Sequence, residues 1–181
     1  MTTPIEDAQL LARVAGGDHQ AFTRVMEAHQ DRIFAVCLRI LANRENALDA
    51  TQETFLTAFR KAHQFQGNSA LGTWLYRIAV NTCYDLLRKA KRRPAEPILE
   101  HMDFADPGAE EHVISAGHRH EIMTALASLP PEFRAAVVLS DIEGLPLPEI
   151  ALALGVPIGT VKSRVFRGRR LLAARLGEPI T

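Results

Sequence analysis

The chain has 181 residues, which suits one or two domains, and its 21 lysines and arginines are balanced by 21 aspartates and glutamates, giving a formal net charge of zero. This balance argues against a protein that coats nucleic acid through a general excess of positive charge. The charges are nevertheless segregated, because segments 88–93 and 162–175 carry only cations and segment 94–111 between them carries only acids. A single charge run is often just a solvated surface, but three alternating blocks indicate separate interaction surfaces.

The two cysteines and the N-terminus bear on the cellular compartment. Cys37 and Cys83 lie within helical apolar patterns and lack CxxC spacing, so we expect buried, reduced thiols. The N-terminus is acidic where a secretion signal would be basic. No apolar run reaches the roughly 18 residues that span a bilayer. These features predict a cytoplasmic protein with no membrane insertion of its own.

Apolar residues recur at helical spacing from Asp7 to about Ala90, and no alternating pattern indicates a strand. Asp18 is placed to cap the second helix, because its carboxylate can accept from backbone N–H groups that have no helical partner. The expected helices of this half are 5–16, 18–41, 45–63 and 73–89. The polar turn Gln66-Gly67-Asn68-Ser69 separates the last two.

Prolines and acids after Arg93 indicate a linker, and helical patterns resume near Gly117. The expected helices there are 117–128, 131–142, 148–154 and 158–176. The last two are joined by the three-residue turn Gly155-Val156-Pro157, which makes them a helix-turn-helix candidate. We therefore predict an all-α protein of two small helical domains, 1–92 and 117–181, joined by a flexible acidic linker, 93–116.

The last helix has two contrasting faces. Val161, Val165, Gly168 and Leu172 fall on one stripe, and the opposite side carries cations, one hydroxyl and one aromatic ring. Arginine can bind guanine edges, lysine can neutralise phosphates, and phenylalanine can contact thymine methyl groups in a major groove. A merely solvated helix is the plainer alternative. Because the basic face follows a helix and a glycine turn, we favour DNA binding through Thr160, Lys162, Ser163, Phe166, Arg167, Arg169 and Arg170.

The C-terminal segment EIALALGVPIGTVKSRVFRGRRLL, preceded by LPPEFRAAVVLSDIEGL, resembles the −35-reading domain of extracytoplasmic-function (ECF) sigma factors. The string GTVKSR followed by RGR is specific to this pattern. Gly168 departs from it, since alanine is usual at that place, and glycine lowers helix propensity by about 1 kcal/mol. The resemblance implies that this helix reads the −35 element of promoter DNA.

The third helix offers an independent test of the resemblance. Asp49, Gln52 and Glu53 share one face by their spacing, and we expect Leu48, Phe55 and Phe59 to pack inward. Acids early in a helix are also explained by the helix dipole. The segment ALDATQETFLTAFRKAHQF is, however, similar to the sigma helix that docks on the clamp helices of the polymerase β′ subunit. This resemblance implies that Asp49, Gln52 and Glu53 bind core RNA polymerase.

The segment FQGNSALGTWLYRIAVNTCYDLLRK resembles the −10 recognition and melting segment of the same family. Aromatic rings can stack on unpaired bases, amides can bind base edges, and cations can follow phosphates. Trp74 can equally pack in the core, as aromatic residues at helical spacing usually do. By position, the loop 66–70 would hold a flipped base, although Leu71 and Gly72 replace a common aromatic and a common basic residue. The residues implicated are Gln66, Asn68, Ser69, Trp74, Tyr76, Asn81, Arg88 and Lys89.

The resemblance implies three partners: core RNA polymerase, promoter DNA and an anti-sigma factor. It also implies an acidic linker that mimics nucleic acid near the polymerase active centre, although a plain spacer explains its composition equally well. No catalytic residue, cofactor or metal is expected, because the sequence has no phosphate-binding glycine loop, nucleophile elbow or HExxH motif. The alternatives are a helix-turn-helix regulator that is not a polymerase subunit, and a sigma-like interaction protein without initiation activity.

Overall fold

The structure, a computed structural model, describes residues 4–92 and 113–177, with side chains over 6–92 and 120–177. The described residues are helical without strands, which confirms the all-α prediction. The N-terminal helices are α1 (Pro4–Ala15), α2 (His19–Leu41), α3 (Arg44–Arg60) and α4 (Leu71–Arg92), with a 3₁₀ turn at Ala62–Gln64. The C-terminal helices are α5 (Val113–Ala127), α6 (Pro131–Val137), α7 (Leu147–Leu154) and α8 (Ile158–Leu176). Residues 93–112 of the expected linker lie outside the described part, and the domain boundaries stay a prediction.

Helix α2 is the centre of the N-terminal helices and packs against α1, α3 and α4. Its start is fixed as expected, because the Asp18 carboxylate accepts a 3.0 Å hydrogen bond from the Ala21 N–H. The chain then reverses through Ala42, whose φ of 52° is left-handed. Asn43 caps α3 by accepting from the Asn46 N–H at 2.8 Å. These local signals hold α2 and α3 side by side over a shared apolar core.

The start of α4 depends on a residue far away in the sequence. The buried Asp7 carboxylate, on α1, accepts a 2.9 Å hydrogen bond from the Leu71 N–H. An N-terminal backbone N–H of a helix has no partner within the helix, so this long-range cap lets α4 begin at Leu71, two residues before the expected start. Nothing in the local sequence indicates this contact.

Both cysteines are buried free thiols, as expected. They belong to α2 and α4, which pack against each other. A hydrogen bond with Cys37, together with burial, raises the pKa of the Cys83 thiol. The neutral thiol is therefore strongly favoured, and the pair behaves as part of the apolar core.

One proline and two glycines shape the C-terminal helices. Pro131 occupies the first turn of α6, which continues through a π-helical turn at Val138–Ile142. Gly155, with φ of 64°, ends α7 and turns the chain into α8. Helix α8 then crosses α6 so closely at Gly168 that an added Cβ would lie 2.5 Å from Val137 Cγ2. The pair α7–α8 thus forms the expected helix-turn-helix on a support made by α5 and α6.

The N-terminal and C-terminal helices contact each other directly. Helix α7 packs along α4, and α5 packs against α2. Arg134 of α6 is buried and donates to the Ile40 carbonyl at the end of α2, as well as to Leu129 and Ala127 within its own half. The carbonyl end of a helix carries partial negative charge, which suits a guanidinium. These contacts set the relative position of the surfaces expected to bind DNA in this structure.

Candidate nucleic-acid and polymerase interfaces

Helix α8 presents the two faces expected from its sequence. Val161, Val165 and Gly168 are buried against the other C-terminal helices, and Phe166 on the opposite side is 61% exposed. The surface we call the α8 face is exposed throughout and consists of Lys162, Ser163, Phe166, Arg167 and Arg170. An exposed phenylalanine lowers solubility, so the need for a soluble surface does not explain Phe166 among these cations. The composition instead favours a ligand that offers both negative charge and apolar contact.

Contacts within α8 hold several of these side chains in place. The Arg170 guanidinium lies 5.8 Å from the centroid of the Phe166 ring. The Ser163 hydroxyl donates to the Thr160 carbonyl at 2.9 Å, and Thr160 itself is half-buried. Lys162 and Arg167 have exposed side chains. The cations on this face are therefore available to a nucleic acid, and the hydroxyl groups sit near the helix start where backbone N–H groups favour phosphate.

Arg169 differs from the other cations of α8, because it forms an ion pair with Asp141 of the π-helical turn. Partial burial opposes ionisation of Asp141, but hydrogen bonds from Arg169 and Ser140 outweigh it and hold the pKa of this carboxyl below its usual value. The same pair raises the pKa of Arg169. Arg169 is thus held at the edge of the α8 face.

The face expected to dock on polymerase, which we call the α3 face, consists of Asp49, Gln52 and Glu53, and all three are exposed. Glu53 accepts from the Thr57 hydroxyl at 3.2 Å and pairs with Arg60 at 3.4 Å. Beside the face, a groove of about 660 Å³ runs between α3 and α4. Asn81 and Lys89 line this groove from the α4 side. The structure thus places these two predicted DNA contacts next to the residues predicted to dock on polymerase.

The inward packing expected for Leu48 is wrong. Phe55 is buried and Phe59 partly so, but Leu48 is 44% exposed. The inward stripe of α3 is made instead of small residues, Ala47, Ala50, Thr54 and Ala58. Leu48 and Phe55 lie on nearly the same side of α3, two turns apart, and Phe55 is covered through its edge-on contact with Phe22 of α2. Small residues let α3 approach α2 closely, and Leu48 is left as an apolar neighbour of the α3 face, together with the exposed Leu56.

A cavity of about 250 Å³ lies at the start of α4, where the resemblance places a flipped base. We call it the α4 pocket. Trp74 is half-buried at its wall and meets Phe65 edge-on, with ring centroids 5.4 Å apart. The Asn68 amide donates to Gln66 Oε1 at 3.1 Å. The lining residues include Phe65, Gln66, Asn68, Ser69, Thr73, Trp74, Arg77 and, from α7, Leu152.

Tyr76 is placed differently from Trp74. It is only 4% exposed, and its hydroxyl donates a 2.7 Å hydrogen bond to Glu143 of the C-terminal helices. Burial and this carboxylate raise the pKa of Tyr76. The ring therefore does not face solvent in this arrangement.

Further along α4, Arg88 and Lys89 are exposed, and Arg88 pairs with Asp85.

Two departures from the family pattern acquire a physical meaning. Leu71 is buried in the core, so an apolar residue there supports the start of α4. Gly72 lies beside His29, whose ring is 3.7 Å from an added Cβ.

Among residues that sequence reasoning missed, Arg77 lines the α4 pocket, and only its charge within the −10 segment could have drawn attention to it. Glu143 and Arg134 of the C-terminal helices contact the N-terminal helices, and no local sequence pattern predicts these contacts.

Two family models match the chain. Sigma-70 region 2 matches residues 25–93, and Sigma-70, region 4 matches residues 119–172. The first covers α2 to α4 with the α3 face and the α4 pocket, and the second covers the helix-turn-helix with the α8 face. None of the helices over 4–92 and 113–177 has the length and apolarity needed to cross a membrane.

Relatives with assigned names agree with these matches. The chain is 40% identical over 171 residues to the ECF RNA polymerase sigma factor SigM of Mycobacterium tuberculosis, covering 94% of this chain and 85% of that protein. It is 41% identical over 170 residues to SigE of Mycolicibacterium smegmatis, covering 91% of this chain and 66% of that protein. It is 34% identical over 182 residues to the sigma-E factor of Escherichia coli, covering 95% of each.

Solved structures have the same fold. The sigma factor RpoE of Bartonella quintana, in complex with the anti-sigma factor NepR, superposes with a TM-score of 0.70 at 25% identity, covering 86% of this chain and 96% of that one. CnrH, in complex with the cytosolic domain of CnrY, superposes with a TM-score of 0.69 at 24% identity, covering 94% of this chain and 97% of that one. The second similarity concerns the fold alone.

Proposed function

Because this chain belongs to the ECF family of RNA polymerase sigma factors, we propose that it binds core RNA polymerase, directs it to specific promoters and promotes melting of the promoter DNA. The observation that carries this proposal is the presence, on one chain, of both matched regions with an exposed surface suited to each task. A helix-turn-helix regulator outside polymerase would have no use for the region-2 half, and this alternative is not favoured.

The α8 face is assigned to the −35 duplex. Its exposed arginines can form paired hydrogen bonds to guanine, and each such contact gives about 1–3 kcal/mol of discrimination. Phe166 can contact thymine methyl groups. Lys162, Thr160 and Arg169 are assigned to phosphates, where charge neutralisation gives affinity that falls with salt. A rigid helix held by α5 and α6 keeps these contacts in one register.

The α4 pocket and its surroundings are assigned to the unpaired −10 strand. Gln66, Asn68 and Ser69 supply polar atoms at a cavity walled by Trp74, which suits a base removed from its stack. Tyr76, Asn81, Arg88 and Lys89 are assigned to the same strand. Melting follows if the separated strand is bound more tightly than the duplex, since each captured base offsets part of the cost of unpairing.

The α3 face is assigned to the clamp helices of the β′ subunit. Asp49 and Gln52 are exposed on it, and the neighbouring Leu48 and Leu56 add apolar area that a protein partner would cover. A patch with an apolar centre and a polar rim is typical of protein interfaces. The proposed role requires no catalysis by this chain, because polymerase supplies the chemistry. The same role places the protein in the cytoplasm, where polymerase and promoters are found.

An anti-sigma factor is proposed as a third partner. The support is that the structural neighbour RpoE of Bartonella quintana was solved in complex with an anti-sigma factor. The acidic segment 94–111 is proposed to lie near the active centre as a mimic of nucleic acid, on its charge alone.

The proposal is tested by selection from randomised duplex DNA. Core polymerase with the chain, core alone and the chain alone are each incubated with the pool, and bound DNA is sequenced. We expect two enriched sequence blocks only when core and chain are combined. Enrichment by the chain alone, with no change on adding core, would instead identify a free-standing DNA-binding regulator.

A further inference from the structure

The α8 face carries cations that the described residues do not neutralise. No carboxylate of the described residues pairs with Lys162, Arg167 or Arg170. Phe166 lies among these cations and is 61% exposed. Complementary charge and apolar contact are the two features that a partner of such a surface must supply. The α8 face therefore fits an occupant in which acidic and apolar groups alternate at short intervals.

The acidic segment 94–111 has this composition. Its acids, with no lysine or arginine among them, are Glu96, Glu100, Asp103, Asp106, Glu110 and Glu111. Large apolar residues are interspersed with these acids, and they are Ile98, Leu99, Met102 and Phe104. Carboxylates can occupy the positions that phosphates take in a complex with DNA, and the apolar residues can cover an exposed ring. The chain thus contains an occupant whose chemistry matches the α8 face.

The connections of this segment bring it within reach of α8. It follows the end of α4 at Arg92 and precedes α5, which begins at Val113 and packs against α8. Residues 93–112 can extend over at most about 66 Å, and a folded chain of this length is roughly 40 Å across. A tethered partner binds in an intramolecular step at an effective concentration of about millimolar, so weak contacts suffice.

Other surfaces of the molecule match the segment less well. The α3 face carries Asp49 and Glu53 and would repel it. The cations of segment 88–93 are nearer in sequence, but no aromatic ring lies among them and Arg88 already pairs with Asp85. The α8 face combines unpaired cations with an exposed ring, so the segment is better matched there.

We propose that, in the chain free of polymerase, the acidic segment 94–111 binds the α8 face and competes there with duplex DNA. Its acids pair with Lys162, Arg167 and Arg170, and its apolar residues contact Phe166. This inference rests on the proposed function, since it concerns the surface assigned to the −35 duplex. Binding to core polymerase draws the segment toward the active centre and leaves the α8 face to the promoter.

The first measurement locates the segment in the full chain without polymerase or DNA. Phe104 is replaced by the photoreactive amino acid benzoylphenylalanine, and a second protein carries the same probe in place of Met102. Crosslinked peptides are identified by mass spectrometry after irradiation. We expect crosslinks to α8 residues around Phe166 that diminish as salt is added, because salt screens the attraction between exposed charges. Absence of α8 crosslinks from both probes overturns the inference.

The second measurement tests competition with DNA. The linker variant combines Glu100→Gln, Asp103→Asn and Asp106→Asn. The control variant removes the same amount of negative charge from exposed positions of α2 and α3, by Glu27→Gln, Asp31→Asn and Glu45→Gln. Each full chain is titrated into a short fluorescein-labelled duplex of mixed sequence, because phosphate contacts form at any sequence, and anisotropy reports binding.

We expect the linker variant to bind this duplex several-fold more tightly than the control variant at low salt. Equal affinities of the two variants overturn the inference. Transcription by the parent chain with core polymerase is measured alongside. If transcription is promoter-specific but either expected result fails, the proposed function stands and this inference falls. If both expected results are obtained but transcription does not depend on the chain, the proposed function fails instead.

Discussion

Arg169 and Asp141 form a two-point contact, with Nε 2.9 Å from Oδ2 and Nη2 2.5 Å from Oδ1. The pair joins the recognition helix α8 to the π-helical turn that follows α6. Since both side chains are substantially exposed, the pair stabilises the fold by no more than about 1 kcal/mol. We propose that its main effect is to restrain the Arg169 guanidinium, which the proposed function assigns to phosphates of the −35 duplex.

Replacing Asp141 with Asn should therefore loosen DNA recognition. Arg169 becomes free to bind phosphates at any sequence, and a negative charge near the DNA is lost, so we expect affinity for unrelated duplex to rise more than affinity for the −35 sequence. Anisotropy titrations of the full chain with both duplexes, at several salt concentrations, measure the ratio. Glu121→Gln, an equal change of charge on α5, is the control. An unchanged ratio of the two affinities would show that Arg169 needs no restraint.

Arg167 is an exposed cation of the α8 face, and Arg167→Ala should weaken binding of promoter DNA by about 1–3 kcal/mol if it makes a paired contact to a base. The loss should concentrate at one base pair, which binding to a set of single-base variants of the −35 duplex would reveal. Arg175→Ala removes an exposed cation from the last turn of the same helix and serves as the control. Equal losses at every sequence would assign Arg167 to a phosphate.

The combined substitution Asp49→Ala and Gln52→Ala should weaken binding to core polymerase. The physical reason is the loss of charge and hydrogen-bonding atoms from the α3 face, whereas the α8 face is untouched. Fluorescence titration with core measures the first effect, and duplex binding by the full chain checks the second. Glu27→Ala with Gln30→Ala, a pair of the same chemistry and spacing on the exposed side of α2, is the matched control. Core affinity equal to that of the control pair would contradict the docking assignment.

Gly168→Ala should destabilise the protein although alanine favours helix. The gain in propensity is about 1 kcal/mol, but the new Cβ would meet Val137 Cγ2 at 2.5 Å, and overpacking costs about 1–3 kcal/mol. We expect a net loss near 1 kcal/mol in urea unfolding. Val137→Ala removes the clashing methyl group, so the double variant should show favourable coupling between the two sites. Gly159→Ala, which meets nothing within 4 Å, is the control. Gly168→Ala as stable as the parent would mean that α6 shifts without cost.

His29 should make stability depend on pH. Burial, together with the Arg32 charge, lowers the pKa of His29 below its ordinary value of 6.5, against an opposing effect of Asp7. The unfolded chain therefore binds a proton more readily than the folded chain, and stability is lost as the pH falls through the ordinary pKa of 6.5 toward the lower pKa of the folded state. His29→Gln should flatten this dependence, measured as the midpoint of thermal unfolding at each pH, whereas the exposed His63→Gln should not. Identical slopes in all three proteins would rule out His29 as the cause.

Much of the fold and of the α8 face follows from local patterns. The periodicity of α8 separates Val161 and Val165 from Arg167 and Phe166 because a helix that lies on a support buries one stripe. Asp18 and Gly155 act as expected, since helix capping and left-handed turns depend on a few neighbouring residues. The role of Gly168 needed the structure, because the sequence shows its propensity and not the helix that crosses it.

The remaining features depend on contacts between distant segments. Leu48 was placed inward because it shares a helix face with Phe55 and Phe59, but it is 44% exposed, and small residues make up most of the packed stripe of α3. Asp7 sets the start of α4 from 64 residues away. Tyr76 was assigned to DNA, and its contact with Glu143 became visible only when the two halves were seen together. Side-chain partners across helices have no periodic signature in the sequence.

The most direct test of the central claim is run-off transcription on a pool of promoter fragments by purified core polymerase, with and without the chain, with start sites mapped by sequencing. The account predicts a defined set of start sites that depends on the chain and is lost when Asp49 and Gln52 are replaced. Start sites that are the same with and without the chain would contradict it.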